Sequence, residues 1–465
     1  FGTLGWTDVT EINIEARTTG NTFIFRVDNW YFDIMAFQAR SATGDFGGKF
    51  QGFQIGSAGG NRFGIGIDTE NIKFQSIEDV TLFYARSAGV RTGLNSENIN
   101  VKHNDIYTAS YASGVFNTPR DTGNPMVWLE GNQYHSGAGT VFSYGVVNPF
   151  SMVGEYFESD GQVNSVVVHS YATITNSTLS RGGDTDAIRV VGGKLSLSNN
   201  QFIESGTNSI YFESGGDEST ILGNIFYNWT GYAIYNASAR SIVITGNTFE
   251  STAATNGITG VIKAFGFDPR GSTVIGNIFQ FTNPHNKFAY VDPSGYYTSI
   301  FSNNVIRGIG GADGVKIASG NWLNGLDKTV VLYGFFGYEI LNNSITAVGN
   351  PIGSLAGGRV MGNNLTNFTT AFAGTADVIR NNTGYVTENS GTATVLNTTT
   401  SIVVSHGLAT TPTRVQITPR ENPTNAVSFW WVDTLTTTQF TINVNTDPGA
   451  SGLDFDWRAV VGEGN

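Results

Sequence analysis

Leu195-Ser-Leu-Ser-Asn-Asn-Gln-Phe202, Ile221-Leu-Gly-Asn-Ile-Phe226, Ile242-Val-Ile-Thr-Gly-Asn-Thr-Phe249, Val274-Ile-Gly-Asn-Ile-Phe279 and Phe301-Ser-Asn-Asn-Val-Ile306 are five versions of one line in a chain of 465 residues. With Asn200, Asn224, Asn247, Asn277 and Asn304 in one column, the position three residues earlier holds Leu197, Ile221, Ile244, Val274 and Phe301. The position two residues later holds Phe202, Phe226, Phe249, Phe279 and Ile306. Both columns are wholly apolar. The spacings of 24, 23, 30 and 27 residues suit one coil of a solenoid with loops of varying length. Each line alternates with period 2 on either side of its Asn, so the unit is strand–turn–strand.

A coil of this length cannot bury its apolar face alone, but coils stacked about 4.8 Å apart pair their backbones and align like positions. The pattern therefore predicts an all-β fold, a right-handed parallel β-helix. An Asn at the turn tolerates left-handed backbone angles, and its amide can bond the Asn above and below.

Outward from this stretch, Asn104 and Asn132 precede the column, and Asn343 and Asn382 continue it, with a looser line near Asn363 and Asn364. Ser177 replaces Asn but keeps Ile174 and Leu179. The long intervals from 132 to 177 and from 304 to 343 must hold extra loops or an extra coil. Residues 1–48 are irregular and aromatic, with strands expected at Glu11-Ile-Asn-Ile-Glu15, Thr22-Phe-Ile-Phe-Arg-Val27 and Trp30-Tyr-Phe-Asp-Ile-Met35; they are read as cap and first coils, because an open solenoid end exposes unpaired strands. Residues 49–388 are assigned to the β-helix. In residues 389–465 the Asn column stops, and five or six strands with Pro, Gly and Asn turns predict a small β-sandwich. There Trp430 and Trp431 point to opposite faces, one of them expected in the core and the other as a trimer contact or a sugar platform, and Trp457 is expected in the core.

Composition agrees. Hydrophobic residues make up 40% and aromatic residues 12%, enough to fill a core, while charged residues are only 13%. A net charge of −12 argues against general affinity for nucleic acid. Without cysteine, thiol catalysis and Cys-ligated metals are excluded. No apolar run reaches the roughly 20 residues of a membrane helix. Phe1 in place of Met suggests a processed or trimmed chain. Eight Asn-X-Ser/Thr sites are what so Asn-rich a chain gives by chance, so they carry no glycosylation signal.

The coils resemble the pectate-lyase-like β-helix superfamily, which includes polysaccharide lyases, glycoside hydrolases, epimerases and phage tailspikes. A β-helix followed by a small β-domain is similar to trimeric viral tailspikes. The stretches TPTRVQITP, TTTQFTINV and FDWRAV loosely resemble the H-type lectin sandwich. The resemblance implies a secreted or virion- or cell-surface protein, a glycan partner and a homotrimer. The Asn-Thr-Asp, Asp-Asp and Gly-His-Gly motifs of polygalacturonases are absent.

A second strand in each coil places chemistry. With Val115, Val141, Ile188, Ile210, Ile234, Ile262 and Val315 inward, the next residues outward are Phe116, Phe142, Arg189, Tyr211, Tyr235, Lys263 and Lys316, and Tyr290 is expected to join them. Such a stripe suits sugar rings and their anionic groups, although outward aromatics can equally be cross-coil ladders. Two residues on lie Glu213 and Asp292, and the loop Arg181-Gly-Gly-Asp-Thr-Asp186 leads into the Arg189 strand. Glycoside hydrolysis needs two carboxylates about 5–5.5 Å or about 6.5–9.5 Å apart, for which Asp184, Asp186 and Glu213 are the candidates. A lyase would use Lys263 or Tyr235 as base and Arg189 to neutralise a uronate. The five histidines show no metal spacing, and no metal or other cofactor is expected. A polysaccharide-binding and cleaving protein and a non-catalytic surface fibre both remain open.

Overall fold

The structure is a computed structural model. It describes residues 11–18, 21–28, 35–40, 49–52, 54–55, 63–70, 75–92, 98–108, 112–117, 127–135, 138–139, 149–158, 166–180, 186–239, 241–252, 260–264, 272–281, 299–307, 312–325, 330–347, 350–354, 357–368, 372–373, 376–384 and 386–461. Among these there is no helix. The chain divides into two compact units, Phe1–Gly295 and Tyr296–Asn465.

In the first unit, an antiparallel hairpin of Glu11–Thr18 with Asn21–Asp28 precedes the coils. The third strand expected at 30–35 falls almost wholly outside the described residues, and a strand instead runs over Met35–Arg40 and pairs in parallel with Phe63–Glu70. From there strands pair in parallel with the strand about one coil later. The columns read from sequence are in register: Leu197 faces Ile221, Ile221 faces Ile244, and Ile244 faces Val274. Phe202, Phe226, Phe249 and Phe279 are fully buried and stack with ring centroids 4.7, 4.7 and 4.9 Å apart. Truncating any of these rings to Ala removes both apolar burial and its neighbours' contacts, a loss of roughly 3–5 kcal/mol.

The Asn column is a hydrogen-bonded ladder. Asn224 Oδ1 accepts from Asn200 N and Nδ2, both at 2.9 Å, and Asn224 Nδ2 donates to Asn247 Oδ1 at 3.0 Å. Asn247 repeats the bonds to Asn277. The left-handed residue, however, is the one before the ladder Asn: Asn199, Gly223, Gly246 and Gly276 all have positive φ. The backbone needs αL at that position, where Gly and Asn serve; the ladder Asn is chosen for its amide.

Both long intervals hold an extra coil. Between 132 and 177 the ladder position is Glu155, fully buried, with Met152 three residues before and Phe157 two after, both in the core. Asn132 donates from N and Nδ2 to Glu155 Oε1 at 3.2 Å, and Tyr134 donates its hydroxyl to Oε2 at 2.7 Å. Burial pushes the Glu155 carboxyl up to about 8, against those hydrogen bonds.

In the second unit the ladder runs Asn304, Asn321, Asn343, Asn363 and Asn382, with Asn321 supplying the coil missing between 304 and 343. It is followed by two three-stranded antiparallel sheets. One joins Glu388–Val395, Leu453–Val460 and Arg414–Pro419; the other joins Ser401–Ser405, Gln439–Val444 and Trp430–Asp433. Phe440, Ile442, Phe455 and Trp457 lie in their shared core. Neither Trp430 nor Trp431 is a core residue: they are 39% and 42% exposed. Trp430 meets the edge of Phe455, and its strand is the edge of the three-stranded sheet.

Candidate functional site

In the first unit five short strands form one parallel sheet: Val166–Val168, Ile188–Val190, Asn208–Phe212, Tyr232–Asn236 and Gly260–Ala264. Val166, Ile188, Ile210 and Ile234 are buried in one row that continues to Ile262. The next row is Val167, Arg189, Tyr211, Tyr235 and Lys263, as the sequence pattern predicts for the last four. Tyr211 and Tyr235 stack with centroids 5.0 Å apart and planes 7° from parallel, and Tyr232 packs against Tyr235 at 5.4 Å. An in-register parallel sheet forces such stacking between like rings on successive coils.

Four of the expected stripe residues, Arg189, Tyr211, Tyr235 and Lys263, share this sheet. Phe116 lies on Ala112–Asn117, which pairs with Thr81–Thr92 in another sheet. Lys316 lies on Ala312–Ser319 in the second unit, paired with Ser299–Ser302 and Val330–Leu341. Neither strand pairs directly with the five-stranded sheet. Phe142, Asp184, Tyr290 and Asp292 lie outside the described residues, as do the side chains of Lys263 and Lys316.

Beside the tyrosines is a polar cluster. Arg189 donates Nε and Nη2 to Glu213 Oε2, each at 2.6 Å, with the two side chains 39% and 35% exposed. Asp186 Oδ1 accepts from Asn208 Nδ2 at 2.6 Å, while Asn208 Oδ1 accepts from Tyr232 N at 3.1 Å. Burial raises the Asp186 carboxyl above its ordinary value, opposed by the Asn208 amide and the Arg189 charge, with Glu213 adding to the rise. Burial also raises the Tyr211 phenol, reinforced by the charges of Glu213, Tyr235 and Asp186. His169 is held below its usual value by burial and by Arg189.

Asp186 and Glu213 are not direct cross-coil neighbours. Ile188 faces Ile210, so Asp186 belongs to the row of Asn208, whereas Glu213 belongs to that of Val191. Their backbones are thus five rows apart, up to about 16 Å along an extended strand, and Arg189 lies between them. The sequence missed His169, Asn208 and Tyr232. Asn208 looks like any turn Asn, and only its place three residues before the outward Tyr211 hints at a role. Among the described residues no group of three or more His, Cys, Asp or Glu side chains is placed to hold a metal ion, and no helix is long and apolar enough to cross a membrane.

No family model and no curated protein matches the chain. Among solved structures, the tailspike protein gp49 from Pseudomonas phage LKA1 is 12% identical, with a TM-score of 0.34, over 95% of this chain and 69% of that one. A mutant tailspike of E. coli bacteriophage HK620 in complex with a pentasaccharide is 12% identical, with a TM-score of 0.45, over 92% of this chain and 82% of that one. Another, in complex with a hexasaccharide, is 13% identical with a TM-score of 0.41, covering 89% and 86%. The fold of this chain rests on its own strand register and Asn ladder, and the bound sugars are properties of those tailspikes.

Proposed function

We propose that this protein is a surface-displayed β-helix that binds a polysaccharide along the Arg189–Tyr211–Tyr235 row and hydrolyses it. The observation that carries the reading is the outward, stacked Tyr211–Tyr235 pair set beside the Arg189–Glu213 ion pair. Flat aromatic faces take the apolar side of a sugar ring, and a fixed carboxylate and guanidinium take its hydroxyl or anionic groups. In this reading Asp186, whose carboxyl burial shifts in the direction a general acid needs, gives its proton to the leaving oxygen. Glu213, held by Arg189 through Oε2 alone, takes the proton of the attacking water.

The test is incubation of the full chain with acidic and neutral polysaccharides, following reducing ends and the ultraviolet absorbance of unsaturated uronate. Reducing ends without new absorbance, abolished by Asp186→Asn and with binding lost in Tyr211→Ala, are expected. New absorbance would replace hydrolysis by β-elimination. Binding without turnover would leave a glycan-binding fibre, and no binding on any substrate would make the stacked rings a structural ladder.

A homotrimer is part of this reading. In the C-terminal sheets Phe429 and Trp431 are 59% and 42% exposed with ring centroids 5.7 Å apart, an aromatic pair suited to a contact between copies. Light scattering should then give about 149 kDa, three times 49.8 kDa.

A further inference from the structure

A second face of the first unit carries a groove of about 510 Å³, lined by Asn98, Asn100, Lys102, Trp128 and Glu130. Its walls are the strands Ile99–Lys102 and Val127–Glu130, paired so that Asn100 faces Trp128 and Lys102 faces Glu130. These strands belong to a different sheet from the Arg189–Tyr211–Tyr235 row. The volume falls within the range of sites that take small ligands, roughly 300–1,000 Å³.

The alternation places Ile99, Val101, Val127 and Leu129 in the core and turns Asn100, Lys102, Trp128 and Glu130 outward. Trp128 is half-buried, with Asn100 before it and Ser151 after it in its row. Lys102 Nζ lies 2.8 Å from Glu130 Oε2, and that ammonium holds the Glu130 carboxyl below its usual range. Across the two preceding coils Lys49 Nζ lies 2.5 Å from Glu78 Oε2. The charges of this face are therefore matched in pairs, and a charged ligand would have to break one of them. What the groove offers instead is one indole, two side-chain amides and a carboxylate with spare lone pairs. This combination suits an uncharged molecule with an apolar face and a rim of hydroxyls.

We infer that this groove is a second carbohydrate site, taking an uncharged pyranose unit with its apolar face on Trp128 and its hydroxyls on Glu130, Asn100 and Asn98. The inference does not rest on the Tyr211–Tyr235 row, which lies on another sheet and can fail independently.

The experiment is calorimetric titration of the full chain with uncharged hexasaccharides of glucose, mannose, galactose and N-acetylglucosamine, and with oligogalacturonate as the charged comparison. At least one uncharged hexasaccharide should bind. Trp128→Ala should weaken it tenfold or more, whereas Trp128→Phe, which keeps an aromatic face, should weaken it less than threefold. Glu130→Gln preserves the groove's shape and should cost several-fold, giving a reading even if Trp128→Ala does not fold by circular dichroism. Two results overturn the inference: no uncharged hexasaccharide binds, or binding is lost in Tyr211→Ala but kept in Trp128→Ala and Glu130→Gln. The second would place the sugar on the other sheet.

Discussion

Glu155 makes the stability of this solenoid depend on pH in a direction opposite to most carboxylates. Its folded-state pKa of about 8 lies above the reference of 4.5. Its stabilising contribution is therefore complete below about pH 4.5 and is lost as pH rises toward 8. At about 1.36 kcal/mol per unit, the loss between pH 5 and pH 8 comes to about 3.5 kcal/mol. With an unfolding entropy of roughly 2.1 cal/mol/K per residue, that is a fall in Tm of about 4 °C if the whole chain unfolds together, and about 6 °C if residues 1–295 unfold alone. Glu155→Gln removes the titration while keeping an oxygen for Asn132. Melting both proteins at pH 5, 6, 7 and 8, with circular dichroism at fixed salt, isolates the effect, because the other titrating groups are common to both. The difference in Tm between the variant and the wild type should increase steadily in the variant's favour across that range. Parallel profiles would refute the reasoning and mean that the carboxyl reaches water or a cation.

Asn224→Ala should cost about 3–5 kcal/mol, since it strands the buried groups on Asn200 and Asn247 that the amide satisfies, whereas Asn224→Ser should cost less, as Ser177 already serves in the column; denaturant titration measures both. Arg189→Met removes the cation that lowers the Asp186 pKa, so the high-pH limb of hydrolysis, which needs protonated Asp186, should move to higher pH. A limb that stays put in the pH–rate profile would remove Asp186 from the role of acid.

The coils were legible because stacking imposes the same demand on every turn, and Asn with flanking apolar columns answers it repeatedly. Glu155 escaped because it fills the ladder position with a different residue, although Met152 and Phe157 keep the columns on either side. Asn321 escaped because small Ala318 stands where large apolar residues usually do. The row Arg189, Tyr211, Tyr235, Lys263 could be read from alternation alone, yet alternation cannot say which sheet a strand joins. The Arg189–Glu213 and Asp186–Asn208 bonds depend on which coils adjoin, and the site's charge pattern is therefore invisible before coils are stacked.

The ladder also has a polarity. From Asn224 to Asn277 and again from Asn321 to Asn382 every ladder oxygen accepts from the preceding coil, and each NH2 before the last of its column donates to the oxygen of the next. Aligned amide dipoles add, as peptide dipoles do in an α-helix. Each column is thus a small electret, negative toward its first coil and positive toward its last. Residues at its two ends feel opposite fields without touching any charged side chain.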